Sequence, residues 1–168
     1  MTQSPGEDLV AQWFDEHGAA LLLYARQWVG TAEADDCIQR VFVRLLTIGQ
    51  LPREPRRWLF RAVRNEAISI WRSTRRRGKR EQLVASNAPT WFQLEPDDPL
   101  RALEAQQALE ALPNELREVV ALRLWSGLTL ADIAEVTEVA VSTVHARYAT
   151  AIETLRQKLE ASCEKRNR

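Results

Sequence analysis

Apolar side chains recur at spacings of three and four along most of the chain, which is the period of an amphipathic α-helix. A first helix is predicted over 9–29, and its stripe consists of Leu9, Trp13, His17, Ala20, Leu21, Tyr24 and Trp28. Gly30 and Thr31 end this helix, and Thr31 is predicted to cap a second helix that has acidic residues in its first turn. The buried stripe of the second helix is predicted to be Ile38, Val41, Phe42 and Leu45.

A third helix is predicted over 58–80, after a loop rich in glycine and proline at 49–55. At about 100° per residue, its apolar side carries Leu59, Phe60, Val63, Ala67 and Ile70. Its other side carries Trp58, Arg61, Asn65 and Arg72, with Arg64 and Ile68 near the edge. One side is therefore expected to be core, and the other a cationic surface that includes an aromatic ring.

The helical period is interrupted in the middle of the chain. Residues 84–104 include three prolines and are interpreted as a linker, although the period resumes in a helix predicted over 100–112. The chain is therefore interpreted as an all-α protein with a helical domain over 1–83 and a second one over 105–168.

The second domain has the pattern of a helix-turn-helix. Pro113 suits the first turn of a helix that Gly127 ends, and Thr129 with Asp132 predicts a capping box for a short helix that follows. Ser142 is predicted to cap a long final helix whose stripe is Val144, Tyr148, Ile152, Leu155 and Leu159. A short helix, a tight turn and a longer helix are typical of the DNA-binding motif, and also occur in plain helical bundles.

Charge is unevenly distributed, although the net charge of the chain is zero. Residues 51–80 hold 11 basic and 2 acidic side chains, and six of the nine positions over 72–80 are Arg or Lys. An arginine-rich helix face suits the regularly spaced phosphates of nucleic acid. Trp58 could stack on an unpaired base, and the amide of Asn65 could pair with a base edge. The alternatives are a solvated basic helix with Trp58 in the core, or a nuclear-import signal.

Several classes of function find no support in the sequence. No apolar run approaches the length that spans a bilayer, and the N-terminus does not resemble a signal peptide, so we expect a cytoplasmic protein without direct membrane insertion. Cys37 and Cys163 are far apart, and His17 and His145 are solitary, which predicts neither a metal nor a disulfide. Without a glycine-rich phosphate loop, a nucleophile and base pair or paired carboxylates, we expect no enzyme, cofactor or small-molecule substrate.

Four segments in this order resemble the extracytoplasmic-function (ECF) sigma factors, the two-domain initiation subunits of bacterial RNA polymerase. The segments are ADDCIQRVFVRLL, WLFRAVRNEAISIWRSTRRR, ALEALPNELREVVALRLWSGLTLADIA and VSTVHARYATAIETLRQKL. The resemblance covers residues 9–80 and 105–160. It implies sigma region 2 in the first domain, region 4 in the second, and a linker that threads through polymerase toward the RNA exit channel.

The resemblance implies three sets of site residues. Core polymerase would be bound by Asp35, Asp36, Gln39, Arg40 and Val43. The minus-ten promoter DNA would be bound, melted and read by Trp58, Arg61, Arg64, Asn65, Arg72, Arg75, Arg76 and Arg77. The duplex at minus thirty-five would be bound by Ser142, Thr143, His145, Ala146, Arg147 and Thr150. An anti-sigma protein is a further partner expected from the resemblance.

The chain departs from the family pattern at three places. Arg40 stands where the family usually has Glu, the recognition helix carries few basic residues, and the turn before that helix lacks the usual glycine. Two alternatives therefore stay open at this point: a stand-alone helix-turn-helix regulator that binds duplex DNA without polymerase, and a degenerate sigma factor retained as an interaction protein.

Overall fold

The computed structural model of the protein describes residues 5–78 and 99–166, and the burial of side chains over 6–76 and 103–161. Within these ranges it holds seven α-helices and no strand, which confirms the all-α class. The helices are α1 (Pro5–Ala25), α2 (Thr31–Thr47), α3 (Pro55–Gly78), α4 (Pro99–Glu110), α5 (Asn114–Trp125), α6 (Leu130–Thr137) and α7 (Val141–Arg166). No described helix combines the length and the apolar character needed to cross a membrane.

The chain divides into two compact units, Met1–Trp91 and Phe92–Arg168. Helices α1 to α3 belong to the first unit, and α4 to α7 belong to the second. Most of the predicted linker lies outside the described residues, but α4 begins at Pro99, so that the range 99–104 is helical. The domain boundaries at 83 and 105 remain predictions.

The first unit buries the predicted stripes of α2 and α3 against each other and against α1. The stripe residues that are at most 7% exposed are Ile38, Val41, Phe42, Leu45, Leu59, Phe60, Val63 and Ala67. The ring of Tyr24 packs 5.6 Å from that of Phe60, measured between centroids. The ring of Phe14 meets that of Phe42 edge-on at 5.1 Å. Each fully buried side chain of this size contributes roughly 1.5–3 kcal/mol, so the orientation of both helices is strongly fixed.

Helix α1 differs from its prediction at both ends. Leu9 is 37% exposed and Val10 is buried in its place, although Leu9 lies four residues and Val10 three residues before the buried Trp13, so that both fit the helical spacing. The helix ends at Ala25, four residues earlier than predicted. The backbone tightens there, since the amide of Trp28 donates to the carbonyl of Ala25 at 3.0 Å.

Three predicted positions at helix starts, two caps and one first-turn proline, are wrong by one or two residues. Thr31 is the first residue of α2, and the cap is Gly30 in an extended conformation without a side-chain hydrogen bond. Pro113 precedes α5 as its cap and does not lie in the first turn. Ser142 lies inside α7, which begins at Val141. A capping side chain acts only from the residue just outside the helix, so a shift of one position removes its role.

The second unit packs α4, α5 and α6 around α7. The fully buried side chains of this unit include Val119, Val120, Leu122, Ile133, Val136, Val144 and Ala151. On α7 the stripe differs from the prediction, because Ala151 is buried while Ile152 is 41% exposed. Gly127 has a φ of 65°, which suits the predicted end of α5 after Trp125.

Helices α6 and α7 form the predicted helix-turn-helix. The capping box is confirmed: the amide of Asp132 donates to Thr129 Oγ1 at 3.1 Å, and the amide of Thr129 donates to Asp132 Oδ2 at 3.0 Å. Glu138 ends α6 in the left-handed conformation, with a φ of 59° and a ψ of 38°. Glutamate therefore occupies the kind of turn position for which glycine is best suited.

Candidate nucleic-acid interface

The side of α3 that faces away from the core is cationic, as predicted. Arg61, Asn65 and Arg72 are exposed, while Trp58 and Arg64 are half-buried. Because the opposite side of the helix is held in the core, this face cannot rotate away from solvent. Trp58 lies at the start of this face and is not fully buried, which the predicted stacking on an unpaired base requires.

The last turns of α3 add a feature that the sequence prediction missed. The guanidinium carbon of Arg75 lies 5.2 Å from the centroid of the Trp71 ring, within the range of a cation–π contact. Trp71, Arg72, Arg75 and Arg76 line an open cavity of about 300 Å³. The spacing of four between Trp71 and Arg75 was the available signal, because such pairs are neighbours on a helix. Arg77 falls within α3, but its side chain lies outside the described part.

The polymerase-binding residues predicted on α2 share one exposed face. Asp35, Asp36, Gln39, Arg40 and Val43 are all exposed there. Val43 is 60% exposed, and Leu46, one turn further along α2, is 54% exposed. Apolar side chains left in solvent beside carboxylates are typical of a surface that binds another protein.

Arg40 is tied to the cationic helix by an ion pair. Its guanidinium donates to Glu66 Oε1 on α3 at 3.1 Å, and the two side chains are 62% and 20% exposed. An exposed pair of this kind contributes only about 0–1 kcal/mol to stability. The pair nevertheless offsets part of the positive charge that Arg40 brings to an otherwise acidic face. Glu66 was missed as its partner because the two residues are distant in sequence.

Cys37 lies beneath this face and is fully buried. Its thiol points to the carbonyl of Val63 at 3.6 Å. Burial, together with the negative charge of the nearby Glu66 carboxylate, raises the pKa of Cys37 to about 12. The thiol is thus protonated at neutral pH and is a poor nucleophile. In the part of the chain that the structure describes, no three His, Cys, Asp or Glu side chains are grouped so that they could hold a metal.

The residues predicted to bind the minus-thirty-five DNA lie on the first turns of α7, the second helix of the helix-turn-helix. Ser142, His145, Ala146 and Thr150 are exposed. Thr143 and Arg147 are half-buried. In this motif the N-terminal residues of the second helix contact base edges in the major groove. The exposed set occupies the positions that this motif in general uses for base contacts, and the two half-buried residues are less accessible.

Two sigma-70 regions match the chain in the order predicted. Residues 13–77 match Sigma-70 region 2, and residues 102–155 match Sigma-70, region 4. The first match spans most of α1 to α3, and the second spans the helix-turn-helix. These two regions and the surfaces described above define a sigma factor, the subunit that binds core RNA polymerase and directs initiation at promoters.

Similarity over the whole chain narrows this class. The ECF RNA polymerase sigma factor SigL of Mycobacterium tuberculosis is 33% identical over 160 residues, which cover 90% of this chain and 89% of SigL. The chain therefore belongs to the ECF RNA polymerase sigma factors, as its sequence predicted. A stand-alone helix-turn-helix regulator would leave the match to region 2 unexplained.

Two solved structures share the fold. The sigma factor RpoE of Bartonella quintana, solved with the anti-sigma factor NepR, has a TM-score of 0.72 and 21% identity, and the match covers 92% of this chain and 98% of RpoE. CnrH, solved with the cytosolic domain of CnrY, has a TM-score of 0.64 and 24% identity, and the match covers 94% of this chain and 91% of CnrH.

Proposed function

We propose that this sigma factor divides its work among three helix faces. The exposed face of α2 docks on core polymerase, the cationic face of α3 binds and opens the minus-ten DNA, and the first turns of α7 bind the minus-thirty-five duplex. The observation that carries this proposal is the separation of α2 and α3 into buried and exposed sides. Every predicted site residue on these two helices whose side chain is described lies outside the buried side.

Opening of the promoter depends on capture of a base from the melted strand. Extruding a base costs a few kcal/mol of lost stacking and pairing. Stacking on Trp58 would return roughly 1–3 kcal/mol, and the amide of Asn65 would contact the base edge. The arginines of α3 would hold the phosphates on either side, and would therefore provide most of the salt-dependent affinity.

The proposal includes partners and location. The protein performs no covalent chemistry of its own and uses no cofactor, because binding energy alone shifts the promoter from closed to open. It acts in the cytoplasm, where polymerase and the chromosome are found. An anti-sigma protein holds it inactive, in line with the complex in which RpoE was solved. The helical domains extend over 1–83 and 105–168, joined by the linker that passes through polymerase.

Two substitutions on different helices separate docking from opening. Asp36→Arg reverses a charge on the docking face, so we expect its affinity for core polymerase to fall about tenfold or more. Asn65→Ala removes the base-edge contact, so we expect core affinity to stay within twofold of the parent while promoter opening falls about tenfold. Core affinity is measured by fluorescence anisotropy, and opening by permanganate footprinting of unpaired thymines.

Asp15→Arg is the matched control for the charge reversal, because Asp15 is exposed on α1 and outside the proposed docking face.

Run-off transcription on a genomic-fragment library with core polymerase tests the function as a whole. Discrete transcripts with a shared upstream motif are expected. Binding of core without transcripts would instead identify a degenerate sigma factor, and duplex binding without core would identify a stand-alone regulator. Equal losses of opening and core affinity in Asn65→Ala would refute the role given to Asn65.

A further inference from the structure

The exposed face of the first turns of α7 is built from short side chains. Ser142, His145, Ala146, Ala149 and Thr150 are all exposed. They are spaced by three, four, seven and eight residues from Ser142, so they lie on one side of the helix. We call these five residues the reading face. Apart from the imidazole of His145, no side chain on this face extends more than two heavy atoms beyond the Cα.

The flanks of the reading face provide no long side chain that takes over its role. Arg147 and Tyr148 are half-buried. The next exposed residue on this side is Glu153, whose carboxylate accepts hydrogen bonds from Gln157 at 2.8 Å and from Arg156. A carboxylate is repelled by DNA phosphates, so the reading face ends at Thr150. From Ser142 to Thr150 the helix rises roughly 12 Å, which corresponds to about three to four base pairs.

Short side chains change which chemical groups of a base pair can be read. Without Arg, Lys, Asn or Gln on this face, bidentate hydrogen bonds to guanine or adenine cannot be made by it. The helix can instead approach the base edges closely, and it then presents the methyl groups of Ala146, Ala149 and Thr150. In the major groove the C5-methyl of thymine is the apolar group that such side chains contact.

We propose that the reading face recognises thymine methyl groups, on either strand, through Ala146, Ala149 and Thr150. His145 adds a hydrogen bond to an adjacent base edge. The upstream promoter element of this protein therefore contains T·A or A·T pairs at the two or three positions opposite these residues. This inference rests on the proposed role of α7 in binding the minus-thirty-five duplex, and it names the groups that α7 reads.

The test replaces thymine by deoxyuridine, which removes only the methyl group. It uses the holoenzyme and a promoter recovered from the run-off library, with the substitution made at one upstream position at a time. Burial of one methyl group is worth about 0.8 kcal/mol, or roughly a fourfold change in affinity. We expect the dissociation constant to rise about fourfold at each contacted thymine, and to stay unchanged when deoxyuridine replaces thymine between the two promoter elements.

Variants of the protein assign the effect to particular residues. Ala146→Ser and Ala149→Ser put a hydroxyl on the contacting methyl, so each should reduce the thymine preference at one position from about fourfold to nearly none. Ala161→Ser is the matched control, since Ala161 is exposed on the same helix beyond the reading face. All three alanines are exposed, so the variants should fold, which circular dichroism can verify.

Three results would overturn the inference in distinguishable ways. Equal binding of thymine and deoxyuridine promoters, with transcription intact, would refute methyl recognition and leave the proposed function standing. A thymine preference that persists unchanged in both serine variants would assign the contact to other residues and refute the role of the reading face. Failure to direct any transcript would refute the proposed function itself, and this inference with it.

Discussion

Glu138 holds a backbone conformation that disfavours any residue with a β-carbon. In the left-handed region a side chain costs roughly 1–2 kcal/mol that glycine does not pay. Glycine loses part of this advantage through the greater freedom of the unfolded chain. We therefore expect Glu138→Gly to raise the free energy of unfolding of the second unit by about 0.5–1 kcal/mol, measured by urea denaturation of the full chain.

Glu138→Ala is the control for this prediction, because it removes the same carboxylate but keeps the β-carbon. It should give no stabilisation. A gain that is equal in the alanine and glycine variants would show that the glutamate side chain, and not the backbone, is the unfavourable feature.

The role of a capping residue was predicted correctly where a second residue had to match it. The capping box of Thr129 and Asp132 was found from sequence because each residue supplies a group that the other needs. Thr31 and Ser142 were assigned as caps on residue type alone, and both lie one or two positions inside their helices. The capping position is the residue just before the first one with helical dihedral angles. Where the helical angles begin depends on how the chain enters the helix, and residue type alone does not determine it.

At the scale of the helices, the ion pair between α2 and α3 provides a matched pair of substitutions. Arg40→Gln and Glu66→Gln both break it, but only the first removes a charge from the proposed docking face. We expect both to change the free energy of unfolding by less than about 1 kcal/mol, since Arg40 is 62% exposed.

The two substitutions should differ in binding. If Arg40 contacts polymerase, Arg40→Gln weakens core affinity about fivefold, while Glu66→Gln stays within twofold. Titration of labelled core polymerase with each variant measures the difference. Equal affinities for the two variants would mean that Arg40 serves only the contact with α3.

Helix positions and buried faces of α2 and α3 followed from periodicity, because one side of each helix is apolar and the other polar. Periodicity failed at the start of α1, where Leu9 and Val10 are both apolar and both fit the spacing to Trp13, so that the spacing cannot distinguish them. It also failed on α7, where Ala151 is buried and the larger Ile152 is not. A small residue fits where helices pack closely, and that proximity is set by the neighbouring helices and not by the α7 sequence.

At the scale of the whole molecule, the positive charge is concentrated in one segment. Residues 51–80 carry a net charge of +9 in a chain whose net charge is zero. Each phosphate contact lowers the slope of log affinity against log salt by about 0.7–0.9. The triple variant Arg72→Gln, Arg75→Gln, Arg76→Gln should therefore bind promoter DNA, as holoenzyme, with a slope that is shallower by about 2–3.

Arg44→Gln is the control for the triple variant, because Arg44 is exposed on α2 and lies outside the cationic face. Its slope should equal that of the parent protein. A triple variant with an unchanged slope would show that these three arginines do not contact phosphate, despite their charge.

The sequence also predicted the two-part organisation, since the helical period is interrupted in a segment that contains three prolines. It did not predict which elements pack together. The contact of Tyr24 with Phe60, and the pair of Arg40 with Glu66, join residues that are distant along the chain. One sequence contains no direct information on such pairings.

The short side chains of α7 have a practical consequence for engineering. Ala146 and Ala149 point into solvent, so a longer side chain at either position disturbs no packing and costs the protein little stability. Lysine, arginine, asparagine or glutamine could be introduced there singly, each replacing the proposed contact with a thymine methyl by a hydrogen bond to a base edge. The protein is therefore a suitable parent for a set of promoter-specific regulators that operate side by side in one cell without cross-activation.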